Sequence, residues 1–124
     1  PRYANLTNRV IYTQFEVIHK LAAKSSCVII GRCSNYILKD RDDCLNIFVY
    51  APEEYKVKHI MEQKGVSQKE AQKLDGMLKS RYEYMTNSDM RDCRTRHMMI
   101  DSSILGLEKT AKYIMQLIDL RFEN

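Results

Sequence analysis

Glycine is scarce. The 124 residues hold four, Gly31, Gly65, Gly76 and Gly106, each isolated in the sequence. Neither GxxxxGK[ST] nor GxGxxG can be written from them. A triphosphate held by a glycine-rich loop of these residues is thereby excluded. Long apolar runs are missing too. The longest span about five residues, as at 47–51, whereas a membrane-crossing helix needs ~20. No charged-then-apolar segment of the signal-peptide kind opens the sequence at Pro1. The four cysteines, Cys27, Cys33, Cys44 and Cys93, show no CxxC spacing and no paired histidines at zinc-finger distances. His19, His59 and His97 form no ligand set. The expectation is reduced thiols in a cytoplasmic protein, with no structural metal.

What remains is the composition of a soluble globular domain, 44% hydrophobic and 29% charged. The length suits one domain with a real core, so residues 1–124 read as a single unit. Twenty Lys and Arg against sixteen Asp and Glu leave a net charge of +4. That bias is too mild to name a partner.

Periodicity orders the chain. Val10, Ile11, Gln14, Val17, Ile18, Leu21 and Ala22 recur at helical spacing and predict an amphipathic helix over 8–23. Cys27, Val28, Ile29 and Ile30 form a short apolar run before Gly31, which predicts a strand buried on both faces. A short helix is expected over 34–38, then a charged loop over 39–43 and a second buried strand over 46–50. Pro52, Glu53 and Glu54 start a helix that should stop at Gly65. Ser67 and Glu70 have capping-box spacing. They open a long polar helix over 68–85, with Ala71, Leu74, Leu78, Tyr82 and Met85 on one face. Residues 86–97 read as a loop, 98–100 as a third strand and 107–122 as a last helix. Alternating helices and doubly buried strands define an α/β domain with a parallel sheet and flanking helices.

Three groups of residues could carry chemistry. Arg32 directly follows a strand and Gly31. In open α/β sheets ligands sit beyond the carboxyl ends of strands, where a guanidinium fork suits phosphate or carboxylate. Arg91, Arg94 and Arg96 crowd one loop, with Lys79 and Arg81 just upstream. They could close on a polyphosphate and stabilise a transferring phosphoryl group. Alternatively they form a solvated loop partnered by Asp89 and Asp92. The third group, Asp101, Ser102 and Ser103, either touches a base or merely turns the chain. Tyr82 belongs with the apolar stripe of its helix.

In register, these segments resemble the cytidylate kinase-like family. The similarity rests on Val28-Ile29-Ile30-Gly31-Arg32-Cys33 with Tyr36-Ile37-Leu38, and on Ile47-Phe48-Val49 with Ala51-Pro52-Glu53-Glu54. It continues through Met99-Ile100-Asp101-Ser102-Ser103 with Leu105-Gly106, and Gln14, Val17 and Ile18 fit as well. The resemblance implies a P-loop kinase three-layer fold without its P-loop strand, the chain matching the C-terminal portion of such a domain. It also implies phosphoryl transfer from a nucleoside triphosphate, ATP with Mg²⁺, to a nucleoside monophosphate. Arg32 and Arg81 would bind the acceptor, with Asp75 on the helix leading to a lid over 87–97. Arg91, Arg94 and Arg96 would be that lid's catalytic candidates. The chain departs from the family pattern at four places. Leu78 stands three residues after Asp75 where an arginine is usual, and Arg81-Tyr82 replaces paired tyrosines. Met90 replaces a tryptophan, and Thr95 to Met98 replace the usual residues before the last strand.

The resemblance also places the P-loop strand between the segments at 27–30 and 47–50. Without it the ladder would have a gap of roughly 9.6 Å, two strand spacings. Exposed inner edges would invite pairing, including homo-oligomerisation. The expected reading is therefore a nucleotide kinase whose phosphate loop lies outside this sequence, the chain alone being inactive. A non-catalytic relative acting as a binding or assembly module is the alternative. A nucleic-acid-binding role for the arginine loop is not expected, since it lacks interleaved aromatics and any recognition motif.

Overall fold

The computed structural model describes residues 2–123, with side chains from Asn8 onward. Five helices and two strands follow in the order α1 (Arg2–Lys24), α2 (Ser34–Ile37), β1 (Ile47–Tyr50), α3 (Glu53–Lys64), α4 (Gln68–Thr86), β2 (Met98–Asp101) and α5 (Gly106–Arg121). A short 3₁₀ turn at Cys93–Thr95 interrupts the loop before β2. No helix among the described residues is long and apolar enough to cross a membrane.

Local signals set the helix ends. Ser67 Oγ accepts from the Glu70 N–H at 3.2 Å, which is half of the expected capping box. Gly65 ends α3 at φ 64°, its N–H returning to the Met61 carbonyl. Glycine adopts that left-handed conformation without a Cβ clash. Asn87 ends α4 in the same way at φ 50°.

The strands β1 and β2 pair in parallel, Ile47 opposite Met98 and Tyr50 opposite Asp101. Beyond the last pair, the Ser102 N–H donates to the Tyr50 carbonyl at 2.9 Å. Asp101 Oδ1 accepts from the Ser103 N–H and hydroxyl at 2.8 and 2.6 Å. The Asp101-Ser102-Ser103 motif therefore extends the ladder and turns the chain.

The segment at 27–30 departs from expectation. It is not a strand, and the sheet has two members instead of three. Val28 and Ile30 are each 88% exposed, the reverse of a doubly buried strand. The cause is relational: a strand exists only where a neighbour accepts its N–H and C=O groups. None of the described residues pairs with this segment.

The core divides in two. Ile18 of α1 packs with Ile37 and Leu38, supported by Phe15, Ala22, Ile29 and Cys44. Val57 of α3 and Ala71 and Tyr82 of α4 are buried in the second half, where α3 and α4 pack together and the sheet lies. Val10, Val17 and Leu21 remain substantially exposed on α1, as do Val49 and Tyr50 on β1.

Candidate functional site

The two halves meet at the turn after residues 27–30. Gly31, Arg32 and Cys33 have φ of 68°, 58° and 58°. Glycine takes such values freely, whereas each non-glycine residue there costs ~1–2 kcal/mol. The Ser34 N–H bonds back to the Gly31 carbonyl at 3.1 Å, and the Cys33 carbonyl receives the N–H groups of Tyr36 and Ile37. The turn thus exposes the Arg32 side chain and buries Cys33, which lies 3.9 Å from the Met85 sulfur. Burial pushes the Cys33 thiol up, opposed by the nearby charges of Arg96 and Arg81.

Asn35, buried in α2, locks this turn to α4 and to the arginine loop. Its Nδ2 donates to Tyr82 Oη and to Thr95 Oγ1, both at 2.8 Å. Nothing in the sequence pattern singled out Asn35. A buried asparagine in a four-residue helix becomes meaningful only when its two partners, 47 and 60 residues away, are in place.

Next to this lock, Arg96 lies over two rings, 4.5 Å from the centre of Phe48 and 5.3 Å from that of Tyr82. Its Nη2 makes a long 3.4 Å bond to the Met90 carbonyl. Its Nε is buried with no partner among the described residues. Burial lowers the pKa of this guanidinium.

Phe48 also faces a cleft of about 520 Å³ beside β1 and α4. Tyr50, Lys56, Asp75, Lys79 and Arg91 line it with Phe48. Aromatic walls with three cations and one acid suit a flat ligand carrying negative charge. A second hollow of about 440 Å³ against α3 carries Glu53 and Glu54, which disfavours an anion there.

The structure separates the expected site residues. Arg91 and Asp75 share the cleft. Asp75 bonds Lys56 of α3 at 3.1 Å, an ion pair between helices that the sequence reading missed. Arg32 is exposed after the strained turn, without an ion pair among the described residues. Arg81 is exposed on α4, close enough for its charge to be felt at Cys33. Arg94 is bound to Asp92: its Nε lies 3.0 Å from both carboxylate oxygens and its Nη2 2.5 Å from one. The Arg94 side chain, with its backbone N–H, pulls the Asp92 carboxyl down to about 2. Leu78 and Met90, two of the apolar departures from the family pattern, both line the cleft, beside Lys79 and Arg91.

The architecture defines an α/β domain whose polar loops gather positive charge near the carboxyl end of a parallel strand. Residues 2–104 match the family model of the cytidylate kinase-like family, and the chain belongs to that family. A crystal structure of an uncharacterized protein from Eubacterium ventriosum is similar at 31% identity, with a TM-score of 0.77 over 89% of this chain. The chain spans 65% of that protein's length. No curated protein matches significantly.

Proposed function

We propose that the whole protein transfers a phosphoryl group from a nucleoside triphosphate to a nucleoside monophosphate, with Arg32 gripping the acceptor's phosphate. The strained Gly31-Arg32-Cys33 turn carries this reading. Backbone strain at two consecutive non-glycine residues persists where the surroundings impose it, and it clusters at ligand sites. Family membership, the exposed Arg32 fork and the cation-lined cleft support the reading. In the proposed arrangement Arg91 closes the lid segment 87–97 over the transferring group, and Asp75 holds Lys56 at the cleft wall.

A triphosphate with its Mg²⁺ needs more than these residues. Among the described residues no three His, Cys, Asp or Glu side chains could hold a metal ion together. The sequence also has no glycine-rich phosphate loop. The residues present therefore do not fit that group by themselves. In the proposed arrangement a phosphate-loop strand pairs along the side of β1 that no described residue occupies, next to residues 27–30. Pairing of those edges with a second copy of the chain is the alternative occupancy.

A coupled assay of nucleoside diphosphate formation, on a full-length protein with Mg²⁺ and a panel of monophosphates, tests the reading. Arg32→Ala should lower kcat/KM on the order of 10²-fold, the scale of losing one charge-assisted phosphate contact. No turnover with any monophosphate, together with no calorimetric heat of binding, refutes it. That outcome favours a non-catalytic binding or assembly module, a reading already supported by the capture of Arg94 by Asp92.

A further inference from the structure

The loop over 87–97 is bonded mostly to itself. The N–H groups of Arg91 and Asp92 go to Asp89, that of Arg94 to Asp92 and that of Arg96 to Cys93. Two ties leave its C-terminal end. Asn35 donates to Thr95, and Asn46, the residue before β1, bonds His97 twice. The His97 N–H donates to the Asn46 carbonyl at 2.7 Å, and the Asn46 N–H donates to His97 Nδ1 at 2.8 Å. By the register of the parallel pair, the next acceptor for that N–H would be the Arg96 carbonyl. An imidazole nitrogen stands in its place.

That replacement makes the rung conditional. A backbone carbonyl accepts at any pH near neutrality. A neutral imidazole accepts at one nitrogen, whereas a protonated ring carries hydrogen on both and accepts at neither. Imidazoles as a class change charge between about pH 5 and 8. His97 is exposed, so protons reach its ring without unfolding. The charged groups on the adjoining segments do not share this range. Arg96, on the same loop, lies over Phe48 and Tyr82. On the segment entering β1, burial pushes the Cys44 thiol up, and the bond from Arg41 holds the Asp43 carboxyl down. From α5, Arg121 donates to the Asp42 carbonyl. No carboxylate pairs with the imidazole among the described residues.

We propose that His97 is a pH-sensitive clasp, its neutral ring tying the entry of β1 to the entry of β2 and its protonated ring releasing that tie. Arg96 precedes the clasp and Phe48 lies two residues beyond Asn46, so the clasp positions the guanidinium over that ring. Asp89 and Asp92 hold the interior of the loop throughout this range, so the loop keeps its own fold while its attachment changes. The clasp stands on this geometry alone. Only its bearing on turnover rests on the phosphotransfer reading.

The isotopically labelled whole protein is titrated by NMR from about pH 8 to about pH 5. The Asn46 amide resonance should shift with the same midpoint as the His97 ring resonances. Its hydrogen exchange, corrected for the intrinsic effect of pH, is read against that of the Ser102 N–H, whose acceptor is the Tyr50 carbonyl. The ratio should rise about fivefold, the scale of one neutral hydrogen bond. His97→Asn, whose amide oxygen accepts without titrating, should keep Asn46 protected at both ends of the range. His97→Phe should leave it unprotected at both. An Asn46 amide that ignores protonation of the ring, or one that responds equally in His97→Phe, overturns the clasp. The first comparison needs no variant, so a folding defect in either substitution does not decide the outcome. A protein whose clasp opens but which forms no nucleoside diphosphate keeps the clasp and loses the kinase reading.

Discussion

Replacing Arg32 by glycine should stabilise the fold while removing the group proposed to grip phosphate. Arg32 sits at φ 58°, in the left-handed region, with an exposed side chain. The Cβ clash costs ~1–2 kcal/mol relative to right-handed backbone. Glycine abolishes the clash but adds roughly 0.5–1 kcal/mol of unfolded-chain entropy. The exposed side chain contributes little packing, so a net gain of about 0.5–1 kcal/mol remains. For a chain of 124 residues that is a rise in Tm of roughly 2–4 °C. Arg32→Ala keeps the Cβ and should stay within about 0.5 kcal/mol of the parent. The assay is urea denaturation of the three proteins, read as midpoint at constant slope. A glycine variant that loses 1 kcal/mol or more, or an alanine variant equal to it, would refute the strain argument. The left-handed turn would then not be the conformation that Arg32 holds in solution.

Other substitutions probe the rest of the site. Asn35→Ala leaves Tyr82 Oη and Thr95 Oγ1 without their shared donor and should cost ~2–3 kcal/mol by denaturation. Ser67→Ala removes the cap on Glu70 N–H and should cost about 1 kcal/mol, read as the same midpoint shift. The Asp92 carboxyl should titrate at about 2 by carbon-detected NMR, and Arg94→Gln should move it up toward the ordinary carboxylate range. Because its folded value is depressed, the pair's contribution is complete above the ordinary carboxylate pKa. It is lost as pH falls through about 2. The 87–97 loop should therefore loosen only in strong acid.

Elements governed by neighbours in sequence were legible, and those governed by neighbours in space were not. The ends of α3 and α4 follow from Gly65 and Ser67, and both were readable without a fold. The Arg94–Asp92 pair is equally local, two residues apart, and was one of the two open readings of the loop. Lys56–Asp75 spans 19 residues and joins two helices, so no spacing rule reaches it. Arg96 shows the limit most sharply. In the sequence it is one of three arginines in a short window, and its partners, Phe48 and Tyr82, lie on a strand and a helix far upstream.

Residues 27–30 belong to the same argument, with the sign reversed. Their composition is that of a buried strand, yet Val28 and Ile30 face solvent at 88%. Composition records the environment in which a segment is stable, and an exposed β-branched run is a hazard that folded proteins cover or interrupt. The free side of β1, with Val49 and Tyr50 substantially exposed, presents the complementary need. One strand supplied between them would satisfy both edges and bury apolar surface on either side. It would also brace the turn where Arg32 and Cys33 hold their strained conformation. Residues 27–30 run directly into the turn at Gly31, Arg32 and Cys33, so under the proposed function a strand pairing with that run would act on the turn as well.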